Sequence, residues 1–136
     1  MGKIILTGDR PTGKLHLGHY IGSLRRRVLL QNAGDYERMF VFMADVQALT
    51  DNADNPEKIR QNIIEVAFDY LSCGLDPQKC TLFIQSHVPQ HAELGWILGC
   101  YTQFGEASRM TQFKDKSQKH ADNVNVGLFA YPVLMA

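Results

Sequence analysis

The sequence has no surplus of charge: 14 Lys and Arg stand against 14 Asp and Glu, a net of zero over 136 residues. A protein that coats nucleic acid or an anionic surface shows a basic excess, so that class is not indicated. No apolar run approaches the length of a membrane span, and no cleavable hydrophobic leader opens the chain. Cysteine is scarce. Cys73, Cys80 and Cys100 are odd in number and form no Cys-x-x-Cys pair, so structural disulfides are not expected and a reducing cytoplasm fits. Internal repeats and low-complexity stretches are absent as well. What is left is an ordinary globular composition, 45% apolar and 21% charged, with length for one domain.

Hydrophobic periodicity then orders the chain. Lys3 to Thr7 and Thr81 to Gln85 read as strands, and the continuously apolar Met39 to Met43 reads as a strand covered on both faces. A helix is expected from Leu17 to about Asn32, with Gly34 near its C-cap. A second begins at Asp54-Asn55-Pro56-Glu57, a capping side chain followed by a first-turn proline, and stops at Gly74 after about Cys73. A third runs from Pro89 to about Gln103 with Leu94, Ile97, Leu98 and Tyr101 inward and the single Trp96 in core or interface packing. Gly105 to Asn125 reads as polar short helices with a mobile loop around Gln112 to Lys116. The alternation of strand and helix predicts an α/β fold with a doubly wound parallel sheet, whose ligands bind beyond the carboxyl ends of the strands.

The segment that leaves the first strand at that edge is Gly8-Asp9-Arg10-Pro11-Thr12-Gly13-Lys14-Leu15-His16-Leu17-Gly18-His19. A strand, a glycine-rich bend and a helix start leave backbone N–H groups unpartnered beside a positive dipole end, which suits a phosphate. Gly8 and Gly13 are expected to supply backbone angles that a Cβ disfavours. His16 and His19 are three apart and share a helix face, where two imidazoles can donate to a departing pyrophosphate. Arg10 can pair bidentately with a phosphate or carboxylate. No Gly-Lys-Ser/Thr follows, so the loop is not a Walker A element.

This strand followed by Gly-x-x-Pro-Thr-Gly and His-Leu-Gly-His resembles the ATP signature of class I aminoacyl-tRNA synthetases. The segments Leu82 to Pro89, Arg109 to Ser117 and Tyr131 to Ala136 resemble the tryptophan branch of that family, and the likeness runs through all 136 residues. The resemblance implies a Rossmann-like catalytic domain, of which residues 1–136 form the N-terminal part. It implies a tryptophan–tRNA ligase that forms tryptophanyl-adenylate from tryptophan and ATP, with Mg²⁺ accompanying ATP, and passes the amino acid to tRNA(Trp). It implies a homodimer in the cytoplasm, without a membrane. Carried over position by position, His16, His19 and Lys116 take catalytic roles. Arg10, Pro11, Thr12, Gly18 and His19 line ATP, and Leu6, Gln47, Tyr131 and Met135 line tryptophan. Relatives commonly have Thr-Ile-Gly-Asn where this chain has His-Leu-Gly-His, and Gln where it has Arg10.

Plainer readings stand beside these. Asp45 and Gln47 either cap a turn after the second strand or form the amino-acid pocket wall. Lys116 is either a phosphate contact or part of a solvated basic loop. Arg25, Arg26 and Arg27 point about 100° apart on a helix and read as a solvated face rather than a tRNA patch. His87 and His91 are spaced i, i+4, but Pro89 lies between them and no third ligand follows, so no metal is expected. The last ten residues stay apolar to the end, so the chain is expected to break off in mid-domain, before the aspartate and the Lys-Met-Ser-Lys-Ser-like signature that the resemblance implies. A tyrosine-activating relative, a small nucleotidyltransferase and a non-catalytic nucleotide-binding or dimerising fragment remain the alternatives.

Overall fold

A computed structural model describes residues 2–119, 122 and 124–135; the side chain of Met135, like Ala136, lies outside the described residues. Three strands, β1 (Ile4–Asp9), β2 (Arg38–Met43) and β3 (Thr81–Ile84), form a parallel sheet in the order β1-β2-β3. The α/β reading therefore holds. β1 runs two residues past the expected end because its ladder continues to Gly8↔Phe42 and Asp9↔Met43. The glycine at position 8 answers to packing rather than to backbone angle: its φ is not positive, and a Cβ there would collide with the Phe42 carbonyl. Gly13, with φ 151°, does need the freedom of glycine.

The helical stretch after the loop opens as α1 (Leu17–His19), widens into a π turn at Tyr20–Leu24 and continues as α2 (Arg25–Ala33). Gly34 closes it in the left-handed conformation, φ 68°. A short helix, α3 (Asp45–Asn52), follows β2 and was not expected. α4 (Pro56–Ser72) starts as its sequence predicts, with the Asn55 side chain accepting from the Lys58 N–H and Pro56 at the first turn. Beyond β3 come a 3₁₀ turn at Gln85–His87, α5 (Gln90–Tyr101), α6 (Phe104–Ala107), α7 (Thr111–Lys119) and α8 (Val126–Met135).

The core lies on one face of the sheet. Met39, Val41 and Met43 of β2 pack with Leu24, Val66 and Tyr70, closed below by Leu75 and Cys80. On the other face Phe42 and Phe83 stack on His91 of α5 at centroid distances of 6.1 and 6.2 Å. One expectation for α5 fails: Leu94, Ile97 and Tyr101 are exposed rather than inward. Trp96 is 77% exposed, which removes the core half of its reading and leaves the interface half. The helix is apolar on all sides, and periodicity cannot choose its buried face. The segment around Gln112 to Lys116 is helix α7, not a loop, held by Phe113 edge-on to Phe129 at 5.2 Å. The three cysteines form no disulfide, and among the described residues no helix is long and apolar enough to cross a membrane.

Candidate active site

A cleft of about 690 Å³ opens at the carboxyl ends of the strands. One wall is the end of β1 with the loop that follows it, and three contacts fix it. The Asn62 side chain donates to the Pro11 carbonyl at 3.1 Å, Asp69 accepts from the Leu15 N–H at 2.8 Å, and Arg27 donates to the Gly8 carbonyl at 3.1 Å. Arg27 corrects the reading of its triplet. Arg25 and Arg26 are exposed, but Arg27 is buried in an ion pair with Asp9 and donates to Thr7 Oγ1 at 3.0 Å. The Tyr70 hydroxyl donates to the same Asp9 at 2.8 Å. Burial pushes the Tyr70 hydroxyl above its ordinary value, and the negative Asp9 adds to the effect.

His16 caps α1: its Nδ1 accepts from the Gly18 N–H at 3.1 Å, while His19 Nδ1 accepts from the His16 N–H at 3.3 Å. A neutral imidazole that accepts at Nδ1 carries its proton on Nε2. Both rings thus present an Nε2–H donor, 4.1 Å apart between centroids. Gly18 has a local reason as well, because a Cβ there would lie 2.9 Å from the His16 ring.

Of the residues singled out from the sequence, Leu6, Arg10, Thr12, His19, Gln47 and Tyr131 line the cleft together. Pro11 is fully buried behind the loop, and His16 and Gly18 stand exposed at its outer edge. Met135 has no described side chain. Gln47 is buried and its N–H donates to Gln85 Oε1 at 3.3 Å. Asp45 does not cap the turn after β2; its carboxylate reaches across to accept from the Ser86 N–H at 2.9 Å, at the 3₁₀ turn after β3. His91 also lines the cleft, with a buried Nδ1 that has no hydrogen-bond partner among the described residues. Among the described residues no group of three His, Cys, Asp or Glu is placed to hold a metal, His87 and His91 included.

Lys116 is not solvated. Its ammonium donates to both oxygens of Asp51, at 2.7 and 2.5 Å, and sits 4.3 Å from the centroid of the Tyr131 ring. Arg10 pairs with the same carboxylate, its guanidinium 5.9 Å from the same ring. Burial alone would raise the Asp51 carboxyl; the hydrogen bonds and charges of Lys116 and Arg10 outweigh it and hold the group below its ordinary value. For Lys116 the balance tips the other way. Burial, with Arg10 nearby, draws its ammonium below the usual value although Asp51 opposes this. Sequence reasoning missed Asp51 altogether: two of its partners, Arg10 and Lys116, lie 41 and 65 residues away, and no local spacing encodes them.

With this geometry in place, comparison with known proteins is informative. The family of class I tRNA synthetases (W and Y) matches residues 3–136. The chain is similar to tryptophanyl-tRNA synthetase from Campylobacter jejuni in complex with ADP and tryptophan, at 41% identity and a TM-score of 0.86, covering 97% of this chain and 40% of that one. It is similar to tryptophanyl-tRNA synthetase from Mycoplasma pneumoniae at 37% identity and a TM-score of 0.87, covering 99% and 40% respectively. It shares only the fold with tyrosyl-tRNA synthetase from Archaeoglobus fulgidus, at 20% identity and a TM-score of 0.80, covering 98% of this chain and 41% of that one. The chain spans about 40% of the length of the tryptophanyl enzymes it matches.

Proposed function

The chain belongs to the class I tRNA synthetases for tryptophan and tyrosine, and on that premise we propose that it supplies the ATP- and tryptophan-binding part of a tryptophan–tRNA ligase. In this reading it is the N-terminal part of the catalytic domain, at work in the cytoplasm. The observation that carries the reading is the cleft that gathers Leu6, Arg10, Thr12, His19, Gln47 and Tyr131 at the carboxyl ends of three parallel strands. The relative that holds ADP and tryptophan together supports both ligands. Identities of 41% and 37% to the tryptophanyl enzymes of Campylobacter jejuni and Mycoplasma pneumoniae support tryptophan.

In the first step a carboxylate oxygen of tryptophan attacks the α-phosphorus of ATP. The bond from that phosphorus to the bridging oxygen breaks, and pyrophosphate leaves with its electron pair. No covalent enzyme intermediate is required, so the protein contributes positioning and stabilisation of developing charge. His16 and His19 meet the leaving phosphates with their Nε2–H donors, and Arg10 and Lys116 supply positive charge. Pro11 holds the nucleotide loop from behind, Thr12 lines it, and Gly18 leaves room for the adenine. Leu6, Gln47, Tyr131 and Met135 receive the amino acid. Magnesium arrives with ATP on phosphate and water ligands. Of the carboxylates beside the loop, Asp9 and Asp51 are paired with arginine and lysine, and Asp69 accepts from the Leu15 N–H. In the second step a ribose hydroxyl of tRNA(Trp) attacks the carbonyl carbon of the adenylate and gives up its proton, the bond from that carbon to the phosphate oxygen breaks, and AMP leaves with the electron pair. A second copy of the chain covers the exposed apolar face of α5.

ATP–pyrophosphate exchange dependent on added amino acid tests this reading. Exchange with tryptophan is expected to fall about a hundredfold in His19→Ala, the scale of losing one charge-stabilising donor. Equal exchange with tyrosine would overturn the tryptophan assignment. Binding of ATP without exchange by the folded chain would reduce it to a nucleotide-binding piece of the enzyme.

A further inference from the structure

The carboxylate of Asp51, at the C-terminal end of α3, stands where two cations from separate elements meet. Arg10 comes from the loop after β1 and Lys116 from α7. All three side chains are largely covered, at 35% exposure for Arg10, 13% for Lys116 and 16% for Asp51. Both cations also lie against the ring of Tyr131. An isolated ion pair at a surface carries little meaning. One carboxylate shared by two covered cations, drawn from elements that otherwise do not need each other, is a different arrangement.

The directions of the donors matter most. Arg10 and Tyr131 line the cleft, whereas Lys116 does not, because its ammonium is turned onto Asp51. Neither Lys116 nor the Arg10 guanidinium has another side-chain acceptor among the described residues. The Arg27–Asp9 pair is built otherwise: that guanidinium is also tied to Thr7 and to the Gly8 carbonyl, and nothing there waits for a ligand. A carboxylate and a phosphate offer the same paired oxygens to a guanidinium fork and an ammonium. They are therefore competing acceptors for one set of donors.

We propose that Asp51 is a positioning residue that parks Lys116 and Arg10 in the empty site as a resident counter-ion, and that an incoming polyphosphate displaces it to bring both cations to the cleft. The proposal rests on the reading of Arg10 and Lys116 as phosphate-binding residues. It adds that the site is restrained before ligand arrives: the Asp51 carboxylate offsets part of the positive charge of Arg10 and Lys116 that would otherwise attract the phosphates. Asp51 thereby lowers the affinity for any lone anion and brings Lys116 into play only when a ligand competes for it.

Titration calorimetry with inorganic pyrophosphate and with ATP at low salt tests this on the chain and on D51N, D51E, K116M and the D51N/K116M double variant. D51N is expected to bind pyrophosphate about tenfold more tightly than the unaltered chain, the scale of an ordinary coupling between two sites. D51E keeps the competing charge and binds like the unaltered chain, a distinction that a merely structural aspartate would not draw. The gain shrinks when D51N is placed on K116M. Circular dichroism checks folding, and D51S takes the place of D51N should the amide not fold. Binding by D51N that equals or falls below that of the unaltered chain overturns the proposal and leaves the phosphate reading standing. Binding by D51N alone supports the proposal. Failure of both proteins to bind either anion removes the proposal and the phosphate reading together.

Discussion

Tyr70 joins β1 to the core through one hydrogen bond, from its hydroxyl to Asp9 at 2.8 Å, beside the buried Arg27. Its hydroxyl is pushed upward first by burial and then by the negative Asp9. The sign of the consequence follows. Above pH of about 10 the unfolded chain ionises this phenol and the folded chain resists, so stability is whole below that pH and falls as pH rises further. Tyr70→Phe is expected to lose about 1 kcal/mol at neutral pH, one hydrogen bond's worth. It is also expected to flatten the alkaline loss. Thermal melts between pH 8 and pH of about 11.5 measure both, and parallel curves for the two proteins would refute the linkage. The residues behind this effect show the limit of reading at this scale. The loop from Gly8 to His19 was legible because strand, glycines and histidines sit in one short stretch. Arg27 was not, since three adjacent arginines look alike until a fold decides which one faces Asp9. Asp51 was not, because its partners are brought to it only by the packing of α7 and the β1 loop.

Elements whose limits are set by local chemistry were legible, and those placed by tertiary contact were not. Asn55 and Pro56 start α4 by capping, and Gly34 ends α2, each through a preference of the residue itself. α3 is not legible because its eight residues make barely two turns, too short for a helical period to show, and its helix is supported by what it touches: Asp45 on Ser86 and the Gln47 N–H on Gln85. α5 was seen as a helix but turned the wrong way, since apolar residues surround it. The Gly34 cap gives a clean test of the legible kind. A Cβ at this position meets no atom within 4 Å, so Gly34→Ala changes only the strain at φ 68°. We expect a loss of about 1 kcal/mol, because alanine resists the left-handed region that glycine enters freely. Urea denaturation at constant slope would record it as a lower midpoint. An unchanged or raised midpoint would show that the cap relaxes into another conformation.

At the scale of the molecule, the unusual feature is how much aromatic surface stands outside. Trp96, Tyr101 and Phe104 are 77%, 83% and 76% exposed, close to an apolar cavity of about 870 Å³ that α5 shares with α3 and α8. With no net charge to keep copies apart, such a patch favours association. Aromatic side chains of this kind are what anchor interfaces when a partner desolvates them. If a second copy covers α5, as proposed, the chain forms a dimer whose population rises with concentration. Trp96 is the single tryptophan, so its fluorescence reports its own burial without ambiguity. The emission maximum is expected to move to shorter wavelength as concentration rises, in step with the dimer seen by sedimentation velocity. Trp96→Glu removes that probe and sets an unpaired carboxylate in the interface, an expected loss of a hundredfold or more in dimer affinity, about 3 kcal/mol. The variant should keep its circular dichroism spectrum, because the side chain it replaces supports no core. A wavelength fixed at that of exposed indole, with a monomer at every concentration, would mean that the α5 face meets something other than a second copy.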